Sequence, residues 1–270
     1  MKFFDNLKNK IDFYIRKKMK FSRKGYFEEA EDLSNIFGDE LKQRENDLHK
    51  KYGFEYFKEM TEQNYRENLY MLDVLDKYFK INPKEKIEAL DIGCKNWNYV
   101  KGQYTFFKKY CENLSLKGIE IDAYRLYWNF YSRYEVAKFY KRGLKNTRYI
   151  PKDFMNYDEK FDYLTWFLPF IREYPHMRWG LPLEYFNPKK MLWHAYFSLK
   201  TGGKLFIVNQ SEIEYNIQKN LLKECAIPFK EIGEVKSDFL HHKYKRFALV
   251  VTNMGPDDNE WLKESKEALR

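Results

Sequence analysis

No stretch of the chain approaches the 18 consecutive apolar residues that a membrane-spanning helix needs, so a transmembrane protein is not expected. The N-terminus lacks the uninterrupted apolar core of a signal peptide. Only three cysteines occur, Cys94, Cys111 and Cys225, far apart and without a C-x-x-C pair. That excludes a disulfide framework or a clustered zinc site. Reduced thiols without a disulfide partner, and hence a cytoplasmic protein, are the expectation. Internal repeats and low-complexity linkers are also absent.

What is present is a globular balance, with 44% hydrophobic and 33% charged residues in 270. That length supports one sizeable core plus an extension. Tyr and Phe, 23 of each, lift the aromatic fraction to 19%. They are spread along the whole chain, which reads as composition bias rather than as a base-stacking surface. The net charge of +9 is uneven: residues 1–24 carry +7 and the remaining 246 only +2. A protein that grips duplex nucleic acid along its length carries a broader basic face, so the basic character here belongs to an arm.

In residues 2–20, Phe4, Leu7, Ile11, Tyr14, Ile15 and Met19 recur at helical spacing with Lys and Arg between them. Such a helix can lie on an anionic membrane surface, or pack on its own domain with a solvated basic back. Two further helices are expected over about 28–51 and 54–80. Leu69, Leu72, Leu75 and Phe79 form the buried stripe of the latter, and Asn82-Pro83 ends it. From residue 86 the pattern changes. Near-continuous apolar runs, Ile87–Ile92, Leu116–Ile121, Thr147–Pro151, Phe161–Phe167 and Leu205–Asn209, alternate with helical stretches, as in a parallel sheet covered on both faces. Phe229–Val235 and Lys245–Thr252 follow without a helix between them and read as an antiparallel hairpin. The expected organisation is a helical extension over 1–80 with the basic arm 1–24, an α/β domain over 81–256, and a tail over 257–270.

Several local features occur in a meaningful order. Glu88-Ala-Leu-Asp91-Ile-Gly93-Cys94 is a strand ending in an acid with glycine two positions later. Lys117-Gly-Ile-Glu120-Ile121-Asp122 ends the next strand, and Pro151-Lys-Asp153-Phe154 follows the third. Phe161-Asp-Tyr-Leu-Thr165 begins the fourth, and Leu199-Lys-Thr-Gly202-Gly203 leads into the fifth. Together these resemble the class I S-adenosylmethionine-dependent methyltransferases over about residues 60–254. The resemblance implies a Rossmann-like seven-stranded mixed sheet with its last strand antiparallel, and S-adenosylmethionine as cofactor. It implies that the Asp91–Gly93–Cys94 turn approaches the methionine part, with Lys95 either neutralising its carboxylate or facing solvent. By the same resemblance Glu120, with Ile121 beside it, accepts the ribose hydroxyls, Asp153 and Phe154 hold the adenine, and Thr165 lies near the cofactor. Asp122 reads as the N-cap of a helix beginning at Ala123. The glycine motif is degenerate: Lys95 and Trp97 stand where the family carries further glycines. A dehydrogenase is disfavoured, because G-x-G-x-x-G is absent and the terminal hairpin does not fit.

Methyl transfer from a sulfonium is an in-line displacement, so the enzyme's main task is alignment in a dry pocket. A base is needed only if the acceptor must lose a proton. The segment after the fourth strand is long and rich in Pro and aromatic residues. It offers His176 as a base, Arg172 or Arg178 as an anion clamp and Trp179 as a packing surface, or else a rigid connection. Asn209, Gln210 and Ser211 are further candidates for lining the pocket. The Asn/Asp-Pro-Pro-aromatic signature of adenine-amine methylation is missing, since the chain reads Phe167-Leu168-Pro169-Phe170, and no Pro-Cys nucleophile points to cytosine C5. His194, at helical spacing, and His241-His242 read as structural or surface residues. Three readings follow: an enzyme acting on an unidentified small or lipid-like acceptor with the front helices as a lid, an RNA methyltransferase using the arm, and a non-catalytic adaptor at a membrane or in a complex. The enzyme reading places the protein in the cytoplasm, with a peripheral position at the inner membrane surface as its extension.

Overall fold

The structure, a computed structural model, describes residues 2–21, 23 and 25–255. The expected tail over 257–270 lies outside them. Among the described residues, eight α-helices and seven strands follow in chain order. They are α1 (Lys2–Met19), α2 (Asp39–Tyr52), α3 (Glu62–Tyr78), β1 (Lys84–Ile92), α4 (Val100–Lys108), β2 (Cys111–Ile119), α5 (Arg133–Tyr140), β3 (Thr147–Ile150), β4 (Phe161–Phe167), α6 (Glu173–Arg178), α7 (Pro188–Phe197), β5 (Leu199–Asn209), α8 (Glu212–Glu224), β6 (Phe229–Val235) and β7 (Arg246–Thr252). The strands form one sheet in the order β3-β2-β1-β4-β5-β7-β6. β1 pairs in parallel with β2 and β4, β2 with β3, and β4 with β5. β7 runs antiparallel to both β5 and β6. All seven expected strands are present in the expected sense.

Alternation along the central strands divides the core. Ile87, Ala89, Tyr163 and Phe206 face α3, α4 and α5, whereas Leu90, Ile92, Leu164 and Leu205 face α7 and α8. Both faces are covered, which is why these strands read as continuous apolar runs. Gly202 takes φ +73° at a bulge in β5, where the register against β4 shifts. A Cβ on Gly203 would meet the Lys200 carbonyl at 2.8 Å. The Gly-Gly pair is thus a tight turn, as its sequence implies.

The expected division at residue 80 does not coincide with a packing boundary. α3 shares one core with the sheet: Leu69, Leu72 and Phe79 are buried with Tyr163 and Phe206. It also crosses α4 so closely that a Cβ on Gly102 would lie 2.3 Å from the Asn68 carbonyl oxygen. The Gly102 N–H donates to Asn68 Oδ1 at 2.8 Å. α2 is shorter than expected, beginning at Asp39, and Arg44 ties it to Asp73 and Asp76 of α3. α3 begins only at Glu62, capped by Thr61. The helix expected after Asp122 starts ten residues later, at the Ser132–Glu135 capping box.

α1 does form, but its expected apolar face is turned outward. Phe4, Leu7, Ile11, Tyr14, Ile15 and Met19 are all exposed, as is Phe3. The opposite face meets the domain: Phe13 is 1% exposed and packs on Tyr185 with ring centroids 5.0 Å apart. Asn9 Nδ2 donates to the Met177 carbonyl at 2.8 Å, and the Leu183 N–H donates to Asn6 Oδ1 at 2.8 Å. Arg16 donates from Nε to Asp122 at 3.1 Å.

Candidate active site

A cavity of about 550 Å³ opens beyond the carboxyl ends of β1, β2 and β4, the place where open parallel sheets bind ligands. Its floor is the turn after β1. Gly93 has φ +68°, and a Cβ there would meet no described atom within 4 Å, so it points into open space on the cavity wall. Lys95 and Trp97, which stand where class I methyltransferases carry further glycines, adopt φ +54° and +50°. The left-handed backbone is therefore kept by residues that pay about 1–2 kcal/mol each for it. The indole of Trp97 does not fill the cavity. It is fully buried in the core and donates from Nε1 to Gln103 Oε1 at 2.8 Å. It lies over Gly118, where a Cβ would come within 2.8 Å of the ring and of Cys94 Sγ. Gly118 on β2 thus supplies the room that Trp97 needs.

Glu120, just past β2, closes this floor. Its Oε2 accepts the Lys95 N–H at 2.9 Å and its Oε1 the Asp122 N–H at 2.8 Å. Each carboxylate oxygen keeps a second acceptor position, available to a ligand hydroxyl. Burial raises the Glu120 pKa, while the Arg133 guanidinium, 3.7 Å away, works against that. Asp122 is not a helix cap. Its side chain joins an ion cluster with Arg16, Arg125 and Arg133. Arg133 is buried and stacks over Trp179 at 4.9 Å, and Lys95 approaches the same ring at 5.8 Å. Two cations from the floor thereby fix one wall.

After β3, Asp153 caps a 3-10 turn by accepting the Met155 N–H at 3.0 Å. The buried Phe154 ring is set edge-on to His194 at 4.6 Å. Asp153 and Phe154 reach the cavity, as do Gly93, Lys95, Glu120 and Ile121. Asp91, Cys94 and Thr165 do not. Asp91 is fully buried behind the turn, accepting from Thr165 Oγ1 at 2.6 Å and Tyr99 O–H at 2.9 Å. Burial pushes its pKa up to about 6 against those hydrogen bonds. These three residues shape the floor without touching what lies on it.

The loop after β4 forms the roof. His176, Arg178 and Trp179 line the cavity, whereas Arg172 is exposed outside it. His176 is 3% exposed, and its Nε2 meets the Pro182 carbonyl at 2.8 Å, which places the proton on that nitrogen and leaves Nδ1 as the acceptor. Burial lowers its pKa, which favours the neutral ring. Asn209 is fully buried off the cavity, and its amide has no hydrogen-bond partner among the described residues. Its neighbour Gln210 does reach the wall.

Several wall residues carry no motif in the sequence. Tyr99, Lys152, Trp166 and Met191 line the cavity, as does Glu214 on α8. Glu214 is buried, and burial raises its pKa. The only signal for it was Ser211-x-x-Glu214, which reads as a capping box; the Glu214 N–H does donate to Ser211 Oγ at 3.3 Å. Apart from α1, whose Phe13 touches the roof residue Tyr185, the front helices do not form a lid; α3 lies on a sheet face away from the cavity. No cluster of three or more His, Cys, Asp or Glu side chains suited to a metal occurs among the described residues. Among them, no helix is long and apolar enough to cross a membrane.

No family model matches the chain, and no curated protein matches it. Solved structures it resembles include a putative S-adenosyl-L-methionine-dependent methyltransferase of Methanococcus maripaludis, at 13% identity and TM-score 0.48, covering 86% of this chain and 99% of that one. A putative class I S-adenosylmethionine-dependent methyltransferase of Listeria monocytogenes matches at 15% identity and TM-score 0.49, covering 84% and 72%. A SAM-dependent methyltransferase of Aquifex aeolicus matches at 17% identity and TM-score 0.47, covering 67% and 88%. The strand order itself, with its antiparallel seventh strand between β5 and β6, is the Rossmann-like seven-stranded mixed sheet that the sequence resemblance implies.

Proposed function

We propose that the protein is an S-adenosylmethionine-dependent methyltransferase acting on a small acceptor with an apolar body. The observation that carries this reading is the floor of the cavity. An unobstructed glycine in a left-handed turn, a buried carboxylate with spare acceptor positions, and the Asp153–Phe154 pair stand at the ends of three adjacent strands. S-adenosylmethionine would supply an electrophilic methyl group there. Glu120 is placed to accept ribose hydroxyls, Gly93 to let the backbone approach the methionine portion, and Phe154 to cover the adenine. Lys95 is placed to meet a carboxylate.

On the acceptor side Trp166, Phe167, Phe170 and Phe186 offer an apolar enclosure that excludes water. Among the residues lining the cavity, Glu214 and His176 are the candidates for acid–base work. Glu214 is the stronger candidate for taking a proton from an acceptor hydroxyl or amine, because burial raises its pKa towards the working range. His176 could serve only through Nδ1. Arg178 and Trp179 are placed to hold the acceptor.

Two alternatives lose support. For RNA binding, Lys2, Lys10 and Arg16 are paired with Glu173, Glu184 and Asp122, and the arm's outward side carries exposed Phe3, Leu7, Ile11 and Ile15 among its remaining lysines, an apolar stripe that a phosphate backbone would not cover. For a non-catalytic adaptor, Trp97 fills the core and leaves the cavity open.

The test is calorimetric titration with S-adenosylmethionine of the wild type and of Glu120→Gln, which keeps the shape of the side chain. Micromolar binding that weakens about ten-fold in the variant supports the reading. A wild type that does not bind at millimolar cofactor overturns it.

A further inference from the structure

α1 presents an apolar surface that the domain leaves bare, and the reason is visible on its other side. Asn6, Asn9, Phe13 and Arg16 are all engaged with the roof and with Asp122. The helix is thereby held in one orientation. Its outward stripe runs through Phe3, Leu7, Ile11 and Ile15, each at least 44% exposed. The eighteen-residue helix that carries this stripe is about 27 Å long. Lys8 and Lys18 stand on the same outward side, and neither has an ion pair among the described residues.

The ridge continues at both ends. At its start Lys2 pairs with Glu173, beside the exposed Tyr174. Past its end Arg23 stacks on Phe130 at 5.8 Å and on Tyr131 at 5.9 Å. In that turn Phe130 is 60% exposed and the Trp128 indole is completely exposed. The bare Trp128 indole thus stands two residues from the Phe130 ring under Arg23, near the end of an arm whose outward side joins exposed apolar side chains to lysines without ion pairs among the described residues. Monomeric soluble proteins rarely leave such contiguous apolar surface in water.

We propose that this face docks on an anionic lipid bilayer, with α1 lying in the interface plane and Trp128 at headgroup depth. Charge selects this occupant. Burying Lys8 and Lys18 against a second copy would oppose like charges, whereas an anionic surface attracts both them and Arg23. Docking would set the roof beside the bilayer, because Tyr185 touches Phe13 of α1 and also lines the cavity. The proposal rests on the geometry of α1 and is independent of the methyl-transfer reading.

The experiment is flotation of the full chain with vesicles of phosphatidylcholine alone and of phosphatidylcholine mixed with phosphatidylglycerol, without cofactor. The protein should float with the mixed vesicles and remain behind with the neutral ones, and added salt should weaken the binding. Leu7→Glu with Ile11→Glu, and separately Lys8→Glu with Lys18→Glu, should each lower the partition coefficient about ten-fold or more with unchanged thermal melting. Quenching of tryptophan emission by brominated lipid should drop in Trp128→Phe. Failure to float, equal flotation with both vesicles, or binding that survives both double variants would overturn the proposal. So would a dimer in light scattering that Ile11→Glu converts to monomers.

Discussion

The floor and the roof of the cavity respond to sequence change in opposite ways. The floor departs from the glycine pattern it resembles at Lys95 and Trp97, yet both residues adopt the left-handed backbone that glycine would give. The indole is absorbed elsewhere, over Gly118. The roof is rich in residues with obvious chemistry, and much of that chemistry is used internally. His176 is tied to Pro182, and Glu173 and Glu184 are paired with α1. A damaged motif can leave a working shape when a neighbouring residue compensates. A loop full of reactive side chains can be mostly a fastening.

The largest way to break this comparison is Trp97→Ala. Removing a fully buried indole should cost about 3–5 kcal/mol of stability in chemical denaturation. Cofactor affinity at a temperature where the variant is folded should change less than about three-fold, since the ring does not line the cavity. A large loss of affinity with little loss of stability would mean that Trp97 belongs to the site.

Asp91 tests the floor through pH. Its folded pKa of about 6 lies above the unfolded value, so folding takes up a proton between them. The favourable contribution is complete below about pH 4 and is lost as pH rises through 6. Asp91→Asn should remove that dependence, which spans about 3 kcal/mol, when denaturation is followed from pH 4 to 7.5. An unchanged profile would show that the carboxyl titrates normally.

Gly93→Val separates shape from stability. A β-branched residue at φ +68° should cost about 1–2 kcal/mol in folding, and its side chain enters the cavity. S-adenosylmethionine affinity by calorimetry should fall about 100-fold, or about 2.7 kcal/mol. Binding within a few-fold of wild type would place the cofactor elsewhere.

The roof gives the smallest effect. His176→Phe keeps the ring packing against Phe170 and Phe186 but leaves the Pro182 carbonyl without its donor, at about 1–2 kcal/mol in thermal denaturation. Cofactor affinity should hold, because the ring stands in the roof and not in the floor.

Much of the fold was legible because its signals are local. Runs such as Phe161–Phe167 and Leu205–Asn209 are apolar at every position, since both sheet faces are covered, and the absence of a helix before Arg246 marked the hairpin. In the site, Glu120, Asp153 and Phe154 were legible as residues at strand ends. Glu214 was not, because a cap and a cavity-lining carboxylate have the same spacing in sequence. Asp122 was misread for a similar reason: an acid after a strand resembles a cap until three arginines from α1, the following turn and α5 converge on it.

By itself the sequence determined the parallel-then-hairpin order of strands, the helical period of α1 and the charge of the arm, all of which depend on neighbours along the chain. The tertiary structure alone decided that Trp97 turns into the core, that Asp91 sits behind the floor and that α1 shows its apolar side to solvent. Each of these depends on which distant surface is free to receive a side chain: Gly118 leaves room for an indole, and the roof offers α1 backbone groups that its asparagines, not its leucine and isoleucines, can satisfy.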